Sequence, residues 1–249
     1  MRLTQSYKGI IYRVFNSGSQ DKVAYIILED GSKLASFAKS VKKAGSRKAH
    51  GLEIGNLVNI KAITGSTLAT LIEISVINDF SPWKKDLKSI ALLQLICEVV
   101  DDFCYEENKD VELYKILYNT LLESREKKVL ACAIFLIKLL NHSGVLPELD
   151  KSLATDEQLN SENVYSMPGE VGYVSDSTVK ENSYYSNSDK VSSRIYKAQR
   201  YILENDFKMG IKLKLDPEEE IKLLRTHLEW LENTMSVKIN SREILNSVL

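Results

Sequence analysis

The chain has 249 residues, of which 44% are hydrophobic and 27% charged, and its formal net charge at pH 7 is −1. This length and apolar content are sufficient for two domains with separate cores. The sequence contains no run of about 18 apolar residues, and it opens without the apolar core of a signal peptide, so we expect a cytoplasmic protein that does not span a membrane.

The near-zero net charge hides a difference between the two parts of the chain. Residues 1–85 carry thirteen Lys and Arg against six Asp and Glu, a balance of +7, so residues 86–249 carry −8. Partners of opposite charge are therefore expected for the two parts. Cys97, Cys104 and Cys132 are odd in number, lack C-x-x-C spacing and lie in apolar runs, so we interpret them as buried core residues.

The first 80 residues have the pattern of β-strands. Asp30-Gly31, between two runs rich in β-branched and aromatic residues, is a strong hairpin signal. A long loop separates the third run from the fourth, which favours a five-stranded barrel of the OB type, although an SH3-like barrel also has five strands. The predicted strands are Gly9–Phe15, Val23–Glu29, Lys33–Ala38, Leu57–Thr64 and Leu68–Ile77.

After Ser81-Pro82 the apolar period changes from two to about 3.6 residues, which predicts helices. We expect them at residues 86–103, 110–124, 126–142, 191–204, 216–235 and from Ser241 onward. Residues 149–189 are polar and have no period, so we expect a long irregular insert without helices. The predicted domains are an OB-fold nucleic-acid-binding domain at 1–80 and a helical domain at 81–249 that contains the insert (150–190).

The strongest functional signal is a basic segment with no acidic residue before Glu53. Flexible lysines of this kind neutralise phosphates without reading base edges, so we expect a nucleic-acid contact here, with a solvated loop that has no partner as the equal alternative. Aromatic residues of the same small sheet add surfaces on which bases stack, although two or three of the rings should be core. The basic residues are Lys33, Lys39, Lys42, Lys43, Arg47 and Lys48, and the rings are Tyr7, Tyr12, Phe15, Tyr25 and Phe37.

Lys127, Lys128 and Lys138 place further positive charge on the third helix or its start. Lys138 lies in an apolar run, where a paired, structural lysine is expected, and a secondary contact to the nucleic acid is the alternative. No phosphate-binding loop, nucleophile elbow or H-E-x-x-H pair occurs, so we expect no enzyme and no cofactor. A metal-dependent nuclease that uses Glu98, Asp101 and Asp102 is a further alternative. It is disfavoured, because two-metal sites gather their carboxylates from several elements, whereas these three lie on one predicted helix.

Several segments resemble the RecO family of bacterial recombination mediators. They are Gly9-Ile10-Ile11-Tyr12-Arg13, Asp30-Gly31-Ser32-Lys33-Leu34, Phe37-Ala38-Lys39 with Lys42-Lys43 and Ser46-Arg47, Phe135 to Leu140 with Gly144, Pro147, Leu149 and Asp150, Leu223-Leu224-Arg225, and Ser241 to Leu245. The resemblance spans nearly the whole chain. It implies an OB domain that binds single- and double-stranded DNA, with the contacts at the six basic residues above and at Arg13.

The resemblance further implies annealing of complementary strands and help in loading the RecA recombinase onto DNA coated by the single-stranded DNA-binding protein (SSB). The implied partners are RecR and the acidic C-terminal tail of SSB, and the implied location is the cytoplasmic nucleoid. Many members of the family hold a zinc ion with four cysteines in the insert. Here Ser152 follows Leu149-Asp150-Lys151 and the insert has neither Cys nor His, so we expect no zinc and an insert that is ordered by packing alone or is mobile.

We therefore expect a DNA-binding recombination mediator that anneals single strands without catalysis. A protein-interaction adaptor, whose barrel binds acidic peptides and has no direct DNA role, is the alternative from another class.

Overall fold

The computed structural model describes residues 4–43, 46, 48–64, 68–104 and 109–249. Its contacts divide the chain into two compact units, Met1–Glu126 with Ile239–Leu249, and Lys127–Lys238. No helix in this described part is both long and apolar enough to cross a bilayer. The predicted boundary at residue 80 coincides with the change from strands to helices, whereas the compact units group the first two helices with the strands.

The first unit begins with a closed five-stranded barrel whose strands follow the order β1-β2-β3-β5-β4. The strands are β1 (Thr4–Ser17), β2 (Asp21–Leu28), β3 (Lys33–Ala38), β4 (Leu57–Ile63) and β5 (Ala69–Asn78). β1 also pairs antiparallel with β4, and β3 pairs parallel with β5 through Ser36 and Phe37. This closure confirms the OB-type barrel, and all five predicted strands are present.

Alternation along the strands divides their residues between the barrel interior and its outer surface. Ile11, Ala24 and Ile26 lie in the interior cluster, together with Val58 and Leu71. In β1 the register with β2 shifts between Ile11 and Arg13, so Tyr12 is an extra, bulged residue. Tyr12 is only 1% exposed. The bulge re-aims the rest of β1, and Val14 instead of Arg13 packs against the interior cluster.

The Asp30-Gly31 turn is confirmed, and its glycine has a second role. Gly31 has φ +77°, and a Cβ placed on it would lie 2.1 Å from the main-chain carbon of Asp110. Asp110 donates its main-chain N–H to the Gly31 carbonyl oxygen over 3.1 Å. Any side chain at position 31 would therefore be strained and would push the start of the second helix away from the turn.

Three helices complete the first unit: α1 (Leu87–Phe103), α2 (Val111–Glu123) and α8 (Ser241–Val248). Asp86 and Asp110 cap α1 and α2, because their side chains accept hydrogen bonds from the main-chain N–H groups of Ser89 and Leu113. Trp83 is fully buried and donates its indole N–H to the Leu121 carbonyl over 3.1 Å. The end of the barrel section is thereby fixed to α2.

The second unit is built on α3 (Lys128–His142), which packs against α7 (Pro217–Met235) and α5 (Ser193–Glu204). Every residue of α3 from Val129 to Leu140 is buried except Lys138. α7 starts after an Asp216 cap, which forms a capping box with Glu219. A one-turn helix, α6 (Phe207–Gly210), lies between α5 and α7.

The insert is more regular than we expected. It contains a three-stranded sheet of order β7-β6-β8, made of β6 (Val164–Ser166), β7 (Val174–Ser175) and β8 (Asp189–Lys190), and a short helix, α4 (Asp176–Glu181). The prediction of an insert without helices was therefore wrong. Strands of two or three residues and a helix of six are too short for a period to be recognised in the sequence.

Candidate nucleic-acid interface

Two basic and two aromatic side chains meet on the outer surface of β1, β2 and β3. The guanidinium carbon of Arg13 lies 5.8 Å from the ring centre of Phe15 and 5.7 Å from that of Tyr25. The ammonium nitrogen of Lys33 lies 4.9 Å from the Tyr25 ring centre, and the Phe15 and Tyr25 rings are 5.9 Å apart. We call these four residues the aromatic–cationic patch.

The strand register produces this patch. Arg13 pairs directly with Tyr25, and Phe15 lies two positions further along β1 on the same surface. Without the bulge at Tyr12 the alternation would send Arg13 towards the interior, so the extra residue is what places the guanidinium outside. Phe15 is 40% exposed. Its ring, and the half-buried ring of Tyr25, therefore offer apolar faces to a flat ligand.

Three of the predicted lysines lie on the loop that follows β3, at the barrel end where the β1–β2 turn is located. Ser40, with φ 57°, donates its N–H to the Asp21 carboxylate over 2.7 Å, and Lys42 donates its N–H to the Gln20 carbonyl over 3.1 Å. Val41 is buried in the barrel interior. The start of the loop is therefore anchored, while the side chains of Lys39, Lys42 and Lys43 are exposed.

Acidic side chains near the barrel surface are engaged elsewhere. Glu29 pairs with Lys8, Asp30 pairs with Lys109 over 2.7 Å, and Glu53 pairs with Lys84 over 3.3 Å. The bonds from Lys109 and Ser32 lower the pKa of Asp30 to about 2. Within the described ranges, Lys39, Lys42 and Lys43 have no carboxylate at ion-pair distance. Their charges are therefore available to a polyanion.

The other basic residues predicted for the site are held more tightly. Lys33 donates to the Cys104 carbonyl over 3.4 Å, and Lys48 donates to the Leu71 carbonyl over 3.0 Å. Both side chains are half-buried, so a structural role accompanies any contact to a ligand. Arg47 lies outside the described residues.

Arg13 forms an ion pair with Asp101 at the end of α1, over 2.5 Å. Asp102 lies beside it, and burial together with the charges of Asp101 and Glu98 raises the pKa of the Asp102 carboxyl. The Glu98 carboxylate accepts bonds from the N–H groups of Asn240 and Ser241, at 2.8 and 2.9 Å, and so caps the start of α8. Two of the three carboxylates considered for a nuclease thus have structural partners, and among the described residues no group of His, Cys, Asp or Glu could hold a metal ion.

The lysines predicted as a secondary contact belong to the second unit. Lys127 donates to the Leu213 carbonyl over 2.5 Å, and Lys138 donates to the Asn205 carbonyl over 2.6 Å and to the Leu203 carbonyl over 3.5 Å. Those two carbonyls lie at the C-terminal end of α5, where a positive charge is favourable. The structural role expected for Lys138 is therefore present. Lys128 is half-buried at the start of α3.

The buried groups follow the expectation for core residues. Cys97, Cys104 and Cys132 are all buried, and burial raises the pKa of the Cys97 thiol to about 12. Of the five rings considered for stacking, of which two or three were expected in the core, Tyr12 is buried and Tyr7 packs partly buried against the interior cluster; burial raises the pKa of the Tyr12 phenol. The sequence did not reveal the pairing of Arg13 with Asp101, because 88 positions separate the two residues.

Comparison with known proteins identifies the family. The family model "Recombination protein O C terminal" matches residues 84–243. DNA repair protein RecO of Clostridium perfringens is 26% identical over an alignment of 249 positions, and the match covers 96% of this chain and 96% of the relative. DNA repair protein RecO of Dehalococcoides mccartyi strain 195 is 26% identical over an alignment of 213 positions, which covers 85% of this chain and 83% of the relative. DNA repair protein RecO of Halalkalibacterium halodurans is 20% identical over an alignment of 247 positions, which covers 97% of this chain and 94% of the relative. Since the family model covers more than half of its length, the chain belongs to the RecO family of recombination and DNA repair proteins.

Proposed function

We propose that the barrel binds single-stranded DNA through the aromatic–cationic patch and the lysines of the loop after β3. The carrying observation is that Lys39, Lys42 and Lys43 are exposed, without a carboxylate at ion-pair distance in the described ranges, at the barrel end where Phe15 and the β1–β2 turn lie. Flexible ammonium groups neutralise phosphates and release counterions, and rings stack bases without regard to sequence. The combination fits a ligand whose bases are unpaired. Duplex DNA would use the lysines alone.

In this proposal the chain assists annealing without catalysis. Two complementary strands repel each other through their phosphates, and the repulsion falls when lysines neutralise part of that charge. Lys33, Lys48 and Arg13 would add to this surface where their structural bonds leave a donor free, because an ammonium group has three N–H donors and a guanidinium has five. Arg47 belongs to the same basic segment in the sequence. Lys127 and Lys128 would contribute only a secondary contact.

The family further supports a role as a mediator in recombinational repair. We propose that the chain acts in the bacterial cytoplasm at the nucleoid, works with RecR, binds the acidic C-terminal tail of SSB, and helps RecA to load onto SSB-coated DNA. No contact of the described structure assigns these partners to a surface.

A strand-annealing assay tests the proposal directly. Two complementary oligonucleotides, one with a donor and one with an acceptor fluorophore, are mixed with and without the full-length chain. We expect faster annealing with the chain, and loss of most of the acceleration in the variant K39A/K42A/K43A. Repeating the assay on SSB-coated strands tests the mediator role. Unchanged annealing rates with the wild-type chain on bare strands would refute the annealing function.

The adaptor alternative makes a different prediction for the same lysines. If the barrel were a peptide-binding module, an acidic peptide would bind tightly at physiological salt, and single-stranded DNA would not bind even at low salt. Anisotropy measurements with a labelled oligonucleotide and a labelled acidic peptide decide between the two. Binding of both, with full displacement of one by the other, would place them on one surface.

A further inference from the structure

Three hydroxyl groups form a buried cluster in the insert of the second unit. Ser152, Ser175 and Thr178 are 5%, 0% and 5% exposed. The Ser175 hydroxyl lies 2.9 Å from that of Thr178, and the Thr178 hydroxyl lies 3.3 Å from that of Ser152. The Ser175 hydroxyl also donates to the Glu157 carboxylate over 2.6 Å. The chain of bonds joins residues 152–157 to residues 175–178.

The direction of each bond in this cluster follows from the carboxylate at its end. An ionised carboxylate only accepts, and a hydroxyl has one hydrogen, so the Ser175 hydrogen is used on Glu157 or on the Ser177 hydroxyl, which itself donates to Glu157. Thr178 must then donate to Ser175, and Ser152 must donate to Thr178. Ser175 also accepts from the main-chain N–H of Thr178 over 3.2 Å, and Ser152 accepts from that of Ser175 over 3.4 Å. Each of the three hydroxyls therefore has both a donor and an acceptor role.

The cluster does not have the chemistry of a zinc site. Ser152 with Thr155, and Ser175 with Thr178, repeat the spacing of two intervening residues that is typical of zinc-binding cysteine pairs. Neutral hydroxyls that hydrogen-bond to one another are not zinc ligands, whereas zinc takes thiolates, imidazoles and carboxylates. Glu157 is the only acidic member of the cluster. The zinc ion held by many RecO proteins therefore does not fit the residues present.

Main-chain bonds support the same region. Leu153 donates to the Tyr173 carbonyl over 2.7 Å and so joins the two arms, and within the first arm Ser152 donates to the Glu157 carbonyl over 2.9 Å. Ser175 also accepts at the start of α4 and belongs to β7, so its side chain connects the small sheet with the helix. The hydroxyls thus lie at the position where the two arms of the insert and its secondary structure meet.

We propose that this hydroxyl chain, which ends on Glu157, organises the insert in place of a metal ion, and that the insert is therefore independent of zinc and of thiol oxidation. Bonds to Ser175 and Ser177 lower the pKa of the Glu157 carboxyl, so the ionised form that fixes the bond directions is the favoured one. Residues 149–189 contain no cysteine that an oxidant could modify. The proposal does not depend on DNA binding by the barrel.

Amide hydrogen exchange on the full-length chain tests this proposal, with metal content measured on the same preparation. We expect far less than one zinc ion per chain, and unchanged exchange of residues 150–178 after treatment with EDTA or with diamide, an oxidant specific for thiols that leaves Met167 intact. Faster exchange of this segment in EDTA, together with bound zinc in stoichiometric amount, would overturn the proposal.

Three substitutions distinguish the hydroxyl chain from general packing. Ser175→Ala removes the central hydroxyl, and we expect exchange of residues 152–159 and 173–178 to become roughly ten-fold faster or more, because buried donors and acceptors lose their partners. Thr178→Ser keeps the hydroxyl and should behave like the wild type. Ser161→Ala, which removes the hydroxyl of a half-buried residue in the same insert that lies outside the cluster and donates to Glu162, is the matched control. The amides of α3 and α7 report whether the second unit remains folded, and equal exchange in Ser175→Ala and Ser161→Ala would refute the role of the hydroxyls.

Discussion

The salt dependence of DNA binding gives the most direct test of the loop lysines. We expect K39A/K42A/K43A to bind a single-stranded oligonucleotide more weakly than the wild type and with a smaller dependence on salt. Each phosphate contact that is lost reduces the slope of log K against log salt by about 0.7, so three contacts reduce it by about 2. When the salt concentration rises from 50 to 200 mM, the factor by which the variant's affinity falls should therefore be about twenty times smaller than the factor for the wild type.

The magnitude depends on all three ammonium groups reaching phosphates, which their exposure permits. Because none of them is buried, and none forms an ion pair within the described ranges, their removal should change the free energy of unfolding by only about 0.5 kcal/mol each or less. Thermal unfolding of the variant is therefore a control for folding. Fluorescence anisotropy at four or more salt concentrations gives the slope.

A matched variant separates local contacts from total charge. Lys197, Arg200 and Lys222 are exposed residues of the second unit, and their replacement by Ala changes the net charge by the same amount. We expect K197A/R200A/K222A to keep the wild-type slope. An equal reduction in both triple variants would mean that net charge, and not the loop, determines binding, and an unchanged slope in K39A/K42A/K43A would remove the loop from the interface.

Three further predictions concern other parts of the molecule. Tyr25→Leu and Phe15→Leu should each weaken single-strand binding by about 1–3 kcal/mol while leaving duplex binding nearly unchanged, which parallel titrations measure. Asp101→Asn removes the negative charge beside Arg13 and should strengthen DNA binding a few-fold at low salt and less at high salt; weaker binding would contradict this expectation. Burial lowers the pKa of His227 to about 4. Between pH 6.5 and 4 the unfolded chain therefore binds a proton at this imidazole more readily than the folded chain does, and the free energy of unfolding should fall by about 3 kcal/mol. In urea unfolding, His227→Gln should show a shallower dependence of this free energy on pH.

The elements of the barrel could be predicted because each depends on local signals. Lys33–Ala38 has the predicted bounds, and the Asp30-Gly31 turn is present. A barrel was predicted, but the pairing that closes it could not be derived, because the parallel pairing of Ser36 with Ala69 joins strands that are distant in the sequence. The bulge at Tyr12 was equally hidden, since one extra residue leaves the apolar pattern of a long strand almost unchanged.

The candidate site was predicted as a set of charges but not as an arrangement. The basic segment is visible because acidic residues are missing from it. Its division into three exposed lysines and two that hold main-chain carbonyls depends on contacts with Cys104 and Leu71, which the sequence does not place nearby. The stacking surface was predicted only as a group of five rings. The register of β1 with β2 then selects Phe15 and Tyr25.

The distribution of acidic residues explains how a chain with a net charge of −1 presents a cationic surface. In the barrel region three carboxylates are bonded to specific partners: Asp21 holds the main chain of Ser40, Asp30 pairs with Lys109, and Glu53 pairs with Lys84. Asp30 and Glu53 are thereby paired with lysines outside the loop, whereas Asp21 lies at the loop and is used by the Ser40 N–H. Exposed charges act over only about 8–10 Å at physiological salt, so the net charge of a chain does not set the field at one loop. Local pairing, and not the total, therefore determines which surface of this chain attracts a polyanion.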